Sequence, residues 1–185
     1  MTKLFSILIL VSIGYCQNLV PSDSVNIYKD SIVEDFCAID KKGNAKSFVN
    51  DILSEESAIV LVFFRGFWWP HCRKQLVELS KLNLPRRVKI YAMSNENYSK
   101  GKSLQKQLYR TNSINFLEDN SGDVFDYFGI IDSRYSDSKR EGIPYASTYV
   151  INKNRKVTYA YIAFDYKKRP SNKIIMNEII KALNE

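Results

Sequence analysis

The run Ala58-Ile59-Val60-Leu61-Val62-Phe63-Phe64 constrains the fold more than any other stretch of the chain. It is unbroken apolar sequence, rich in β-branched and aromatic side chains, so a strand built from it has no polar face and must be covered on both sides. That is the pattern of a central strand in a sheet layered with helices. The chain then breaks at Arg65-Gly66. Pro70 suits the first position of a following helix, where its missing N–H would be unpaired in any case. Cys72, Leu76 and Leu79 recur at spacings of four and three, which predicts a helix from about Pro70 to Leu82 with these residues on one face.

The remaining periodicities alternate in the same way. Val88 to Met93 reads as a strand, Lys102 to Arg110 as a helix, Ile114 to Leu117 as a short strand, and Gly122 to Phe128 as a helix stopped by Gly129. Ser147 to Ile151 and Lys156 to Phe164 form a hairpin across Asn152-Lys153-Asn154-Arg155. An amphipathic helix from Lys173 to Leu183 closes the chain through Ile174, Ile175, Ile179, Ala182 and Leu183. Upstream, Ile32 to Asp40 and Ala45 to Val49 read as a hairpin turning at Lys41-Lys42-Gly43-Asn44. The expected architecture is α/β and thioredoxin-like: a central mixed sheet flanked by helices, with an N-terminal β-hairpin, in one domain over residues 32–185. Residues 17–31 are polar and aperiodic, and are expected to form a flexible lead-in.

The apolar run Leu4 to Ile13 is far shorter than the roughly 20 residues that a membrane-spanning helix needs. With Lys3 before it and Gly14-Tyr15-Cys16 after it, the run has the parts of a signal peptide over residues 1–16, with cleavage expected before Gln17. This implies a periplasmic or secreted protein. Lipoprotein anchoring at Cys16 is the lesser alternative, because Tyr15 is bulky where that processing wants a small residue. The chain carries 27 Lys+Arg against 20 Asp+Glu, a net charge of +7, dispersed rather than gathered into a basic tract. Short clusters such as Lys153, Arg155, Lys156 and Lys167, Lys168, Arg169 read as solvated surface, and a nucleic-acid partner is not expected. Asn97-Tyr98-Ser99 is a glycosylation sequon, relevant only in a eukaryotic secretory host.

After the expected cleavage two cysteines remain, Cys37 and Cys72. A chain of this size builds a core without a disulfide, so either thiol is available for chemistry. Cys72 would be the third residue of its helix, near unpaired N–H groups and the positive end of the helix dipole. A thiol at the ordinary value is only about 3% ionised at pH 7. A helix end contributes about 1 kcal/mol, less than one pKa unit, so a cation must help. Arg65, on the facing loop, is the preferred partner, because the helix points Arg73 and Lys74 outward. The competing reading makes Cys72 a small buried apolar residue beneath Trp68 and Trp69. His71, the chain's single histidine, offers a base or is an incidental surface residue; Trp68 and Trp69 line a pocket or simply pack.

The segment AIVLVFFRGFWWPHCRKQLVEL, residues 58 to 79, resembles the strand, active-site loop and helix of the alkyl hydroperoxide reductase/thiol-specific antioxidant (AhpC/TSA) family, especially its peroxiredoxin-like members with F-Y-R-G-x-W-C-P-Y-C. Weaker similarity is carried by Val33-Glu34-Asp35-Phe36, by Leu117-Glu118-Asp119 with Val124 to Gly129, by Ile143 to Ile151, and by AYIAFDYKKR, residues 160 to 169. The resemblance implies a thioredoxin fold and places Cys72 at the peroxide-attacking cysteine. It also implies a hydroperoxide or a thiol/disulfide as substrate, an external thiol as reductant, and no cofactor. Trp69 stands where relatives have a first cysteine or a threonine, and Arg65 where peroxiredoxins have proline. Ala146 stands where peroxiredoxins carry the arginine that stabilises the thiolate, and no sequence feature names a substitute.

The expected site therefore consists of Cys72 and Arg65 as the catalytic pair, with Trp68, Trp69, Pro70, His71 and Pro144 around the substrate, Pro144 supplying a rigid turn. The expected function is an exported thiol antioxidant reducing hydroperoxides through one cysteine. The alternative is a redox-inactive thioredoxin-fold binding module that has lost its CxxC. Cys37, in the first hairpin, is expected to lie away from Cys72, beyond the roughly 7 Å Cα separation that a bridge permits.

Overall fold

The structure is a computed structural model that describes residues 25–108 and 113–185. A mixed sheet of seven strands runs through it: β1 (Cys37–Asp40), β2 (Ala45–Ser47), β3 (Ala58–Phe63), β4 (Val88–Ser94), β5 (Ile114–Glu118), β6 (Ser147–Asn152) and β7 (Val157–Ile162), in the order β2-β1-β5-β4-β3-β6-β7. Strands β3, β4 and β5 are parallel neighbours, while β6 pairs antiparallel with β3 and with β7, and β1 antiparallel with β2 and β5. The helices are α1 (Pro70–Ser80), α2 (Lys102–Gln105), α3 (Asp123–Phe128) and α4 (Asn172–Leu183). This is the thioredoxin-like arrangement expected from the sequence.

Strand β3 lies at the middle of the molecule, buried along its whole length. Its alternate residues feed two cores. Val60, Val62 and Phe64 point toward α1 and α4, where they meet Leu76, Leu79, Ile175 and Ile179. Ile59, Leu61 and Phe63 point the other way, into a cluster with Phe36, Phe48, Phe125, Phe128 and Tyr149. A strand of period two between two apolar layers needs an apolar residue at every position, and this chain supplies one.

Several elements differ from expectation in extent. The first hairpin is shorter, starting at Cys37, because Ile32 instead bridges Lys156 beside β7. Residues 25–31 are not a free lead-in: Ile27 is buried, Asn26 N–H donates to the Phe128 carbonyl, and Asp30 N–H donates to that of Val157. Backbone pairing and one buried isoleucine tie down this part of the polar segment. The helix expected at 102–110 is a single turn, α2, following a 3-10 turn at Tyr98–Gly101. Among the described residues only Leu104 and Leu108 reach the core there, little apolar surface to hold a longer helix. In α4, Ile175, Ile179 and Ala182 form the buried face, whereas Ile174 and Leu183 are exposed. No helix among the described residues is long and apolar enough to cross a membrane. The expected signal peptide, Cys16 and Arg110 lie outside the described residues.

Candidate active site

The loop from Arg65 to Trp69 leaves the C-terminal end of β3 and delivers the chain into α1, with Pro70 at its first turn. Gly66 is required at the turn. Its φ of 139° is a conformation that other residues rarely adopt, and a Cβ there would come within 2.5 Å of Trp68 Nε1 and 2.6 Å of Glu96 Oε2. Glu96 fixes the loop by accepting the Phe67 N–H at 2.7 Å. Phe67 is thereby committed to the core, packed against Phe64 and Phe116.

Cys72 is the third residue of α1, and its side chain is 0% exposed. It points inward, on the same face as Leu76 and Leu79 and in one apolar cluster with Ala146. The sulfur thus lies near the helix end but inside the protein: the periodicity that defines the helix also turns Cys72 to the sheet. The apolar surroundings are nevertheless broken by cations. Arg169 Nη2 donates to Cys72 Sγ at 3.2 Å, and the Arg65 backbone and side chain also act on the thiol electrostatically. Burial pushes the Cys72 thiol above its ordinary value. The charge of Arg169, the Arg65 N–H, the Arg169 hydrogen bond and the Arg65 charge all pull the opposite way.

Arg169 thus takes the role that sequence reading gave first to Arg65. It precedes the buried Pro170 in the segment between β7 and α4, where the proline keeps the preceding backbone out of the helical region. Its Nη1 donates to the carbonyls of Tyr166 at 3.0 Å and Lys168 at 2.6 Å, which fixes the guanidinium plane. The one sequence signal for Arg169 was its place in the stretch Ala160–Arg169 that carries family resemblance; its neighbours Lys167 and Lys168 are surface charges, as expected.

Arg65 is close by and is 1% exposed, an unusual state for a guanidinium. It forms an ion pair with Asp132 at 3.4 Å. Aromatic rings enclose it: its guanidinium carbon lies 4.6 Å from the Tyr135 ring centre, 5.3 Å from Trp69 and 5.9 Å from Tyr166. Asp132 was not legible in the sequence. It is held by its own N–H to the Ile143 carbonyl and is shared with Arg134, whose Nε and Nη2 each donate at 2.7 Å. Pro144 is buried in this paired segment, bridging Ile131, and is not among the residues that line the groove beside Arg169. Its place is structural: it helps to hold Asp132 against Arg65.

The other expected site residues are spread around the sulfur. Trp69 caps α1 without a side-chain bond to it, packs on Tyr166, and has a buried, unpartnered Nε1. Trp68 is half-buried and stacks under Arg140 at 4.0 Å. Pro70 is exposed. His71 is half-buried, 5.8 Å from Trp69 between ring centres, and lines a groove of about 540 Å³ together with Gln75 and Arg169. Arg65 Nε and Nη2, Trp69 Nε1 and Arg169 Nε are all buried donors without a partner. Such atoms are costly to leave unmatched, and this set is suited to an oxygen-rich, acceptor-bearing reactant. Cys37 is disulfide-bonded, whereas Cys72 is free, so the two are not joined to each other.

No curated protein matches the chain by sequence. Among solved structures it is similar to a peroxiredoxin-like protein from Aquifex aeolicus, at 12% identity and a TM-score of 0.70, covering 91% of this chain and 99% of that one. It is similar to a peroxidoxin from Mycobacterium tuberculosis, at 21% identity and a TM-score of 0.62, covering 86% and 96%. A putative thiol:disulfide interchange protein from Chlorobium tepidum matches at 16% identity and a TM-score of 0.62, covering 85% and 99%. These likenesses establish the fold. The sequence model of the AhpC/TSA family matches residues 30–160, which include the loop, Cys72 and Asp132, and on that match the chain belongs to the AhpC/TSA family.

Proposed function

We propose that this chain is a thiol peroxidase that reduces hydroperoxides through Cys72 alone and is returned to the thiol by an external thiol. The observation that carries the reading is the Arg169 to Cys72 hydrogen bond of 3.2 Å. A buried thiol that serves only as a small apolar residue has no need of a charged donor. Here a guanidinium is spent on it, in a chain whose Ala146 leaves the family's usual arginine position apolar. Burial raises the thiol, and the charge of Arg169 opposes it. Arg169 both touches the sulfur and lines the groove, so the groove side is the approach by which a reactant meets the sulfur and the guanidinium together. A polar reactant relieves part of the burial that holds the proton on. Export remains part of the proposal and rests on residues 1–16.

Full burial of Cys72 favours the second reading, a redox-inactive module. Peroxide consumption with dithiothreitol as reductant separates the two. The full chain is expected to turn over hydrogen peroxide, and Cys72→Ser to lose all of that activity. Turnover that survives in Cys72→Ser, or its absence from the wild-type chain, contradicts the peroxidase reading.

A further inference from the structure

The groove beside Cys72 has a chemical character of its own. Its lining includes His71, Lys74, Gln75, Glu78, Lys167 and Arg169. Lys74, Lys167 and Arg169 are basic side chains, and the single acid, Glu78, is paired with Lys81 at 2.8 Å. Among the described residues, no carboxylate lies within ion-pair distance of Lys74 or Lys167, and both are exposed. Deeper in, two lining residues have an unmatched buried atom. Gln75 is 6% exposed; its Nε2 donates to Thr148 Oγ1 at 3.1 Å, which leaves Oε1 an acceptor without a donor. Arg169 Nε is a donor without an acceptor. A hydroperoxide group complements both, its O–H donating to Gln75 Oε1 and an oxygen accepting from Arg169 Nε. The two lysines at the outer part, without a carboxylate partner among the described residues, then call for a negative charge on the same molecule.

From this arrangement we infer that the groove selects carboxylate-bearing reactants for Cys72, an acidic hydroperoxide or an acidic thiol, with the carboxylate held by Lys74 and Lys167. The inference rests on Cys72 being the reacting group. In the first step the Cys72 sulfur attacks the terminal peroxide oxygen, the O–O bond breaks, and the thiol proton leaves with the other oxygen. The acid is released as its alcohol and Cys72 is oxidised to sulfenic acid. A thiol then forms a mixed disulfide with Cys72, releasing water. A second molecule of that thiol releases the symmetric disulfide and restores the Cys72 thiol.

The test compares charged and neutral members of matched pairs on the full chain and on the double variant Lys74→Gln/Lys167→Gln. Linoleic acid hydroperoxide is set against its methyl ester for the oxidation step, and mercaptopropionate against mercaptoethanol for reduction of the sulfenic form. Iodoacetate against iodoacetamide, each normalised to free cysteine, reads the groove without any redox chemistry. The wild-type chain is expected to favour the acid by about tenfold at low ionic strength, equivalent to about 1.4 kcal/mol and within reach of two exposed lysines acting together. The preference shrinks in the double variant and in high salt. Preference in the hydroperoxide pair alone assigns the carboxylate to the oxidant, and preference in the thiol pair alone assigns it to the reductant. Ratios near one in every pair, or ratios unchanged in the double variant, overturn the inference. If no hydroperoxide oxidises Cys72 while the iodoacetate preference persists, the peroxidase reading fails and the charge-selective groove stands.

Discussion

Asp132→Ala is expected to lower the unfolding free energy by about 3–5 kcal/mol, the usual cost of leaving a buried charge without its partner. Arg65 is 1% exposed, and its ion pair with Asp132 is the one that the described residues provide. The rings of Trp69, Tyr135 and Tyr166 offset a fraction of its charge, each by about 0.5–2 kcal/mol, but do not replace a carboxylate. For a domain of this size the loss corresponds to a fall in Tm of about 10 °C or more, readable by calorimetry. A control separates charge from packing. In Arg65→Met/Asp132→Leu both charges are replaced by apolar groups, and most of the stability should return. A Tm for Asp132→Ala within a degree or two of wild type would mean that Arg65 is not held as described.

The second large effect concerns reactivity rather than stability. Removing the Arg169 guanidinium by Arg169→Met takes a charge-assisted hydrogen bond from Cys72 Sγ, worth about 1.5–3 kcal/mol to the ionised form. The sign follows from the causes acting on the thiol. Burial favours the neutral form and Arg169 opposes it, so losing Arg169 raises the thiol further and leaves less thiolate at any pH below its midpoint. At neutral pH the alkylation rate of Cys72 should fall by about tenfold to a hundredfold, with the pH profile displaced to the alkaline side. Arg169→Lys should recover part of the loss, since it restores the charge without the fixed planar fork. Superimposed pH profiles for wild type and Arg169→Met would show that the guanidinium does not govern the sulfur.

These effects hinge on residues of unequal legibility. Strand β3 could be read directly, because a strand covered on both faces must be apolar at every position and residues 58–63 are. Helix α1 could be read from Pro70 and from the spacing of Cys72, Leu76 and Leu79, and it ends within two residues of the expected point. That same spacing carried the information that Cys72 faces the core. The sulfur does lie in the first turn of α1, near the helix end, but an end is not a surface when a neighbouring segment lies over it. The covering segment was not legible. Arg169 lies 97 residues from Cys72 along the chain, and no local pattern links them. Asp132 was equally hidden, being a single acid in an irregular stretch whose partner is set by the pairing of Ile131 with Pro144. Local periodicity specifies elements; the ion pairs that make a site from loops depend on how those elements close in space.

The central claim is that the sulfur held by Arg169 is the group that meets the hydroperoxide. It is tested most directly by adding one equivalent of hydrogen peroxide to the full chain at neutral pH and trapping sulfenic acid with dimedone, followed by mapping of the adduct. The account predicts an adduct confined to Cys72 that forms faster than on free cysteine and is suppressed in Arg169→Met. An unmodified Cys72, or one oxidised no faster than the free amino acid, would contradict it.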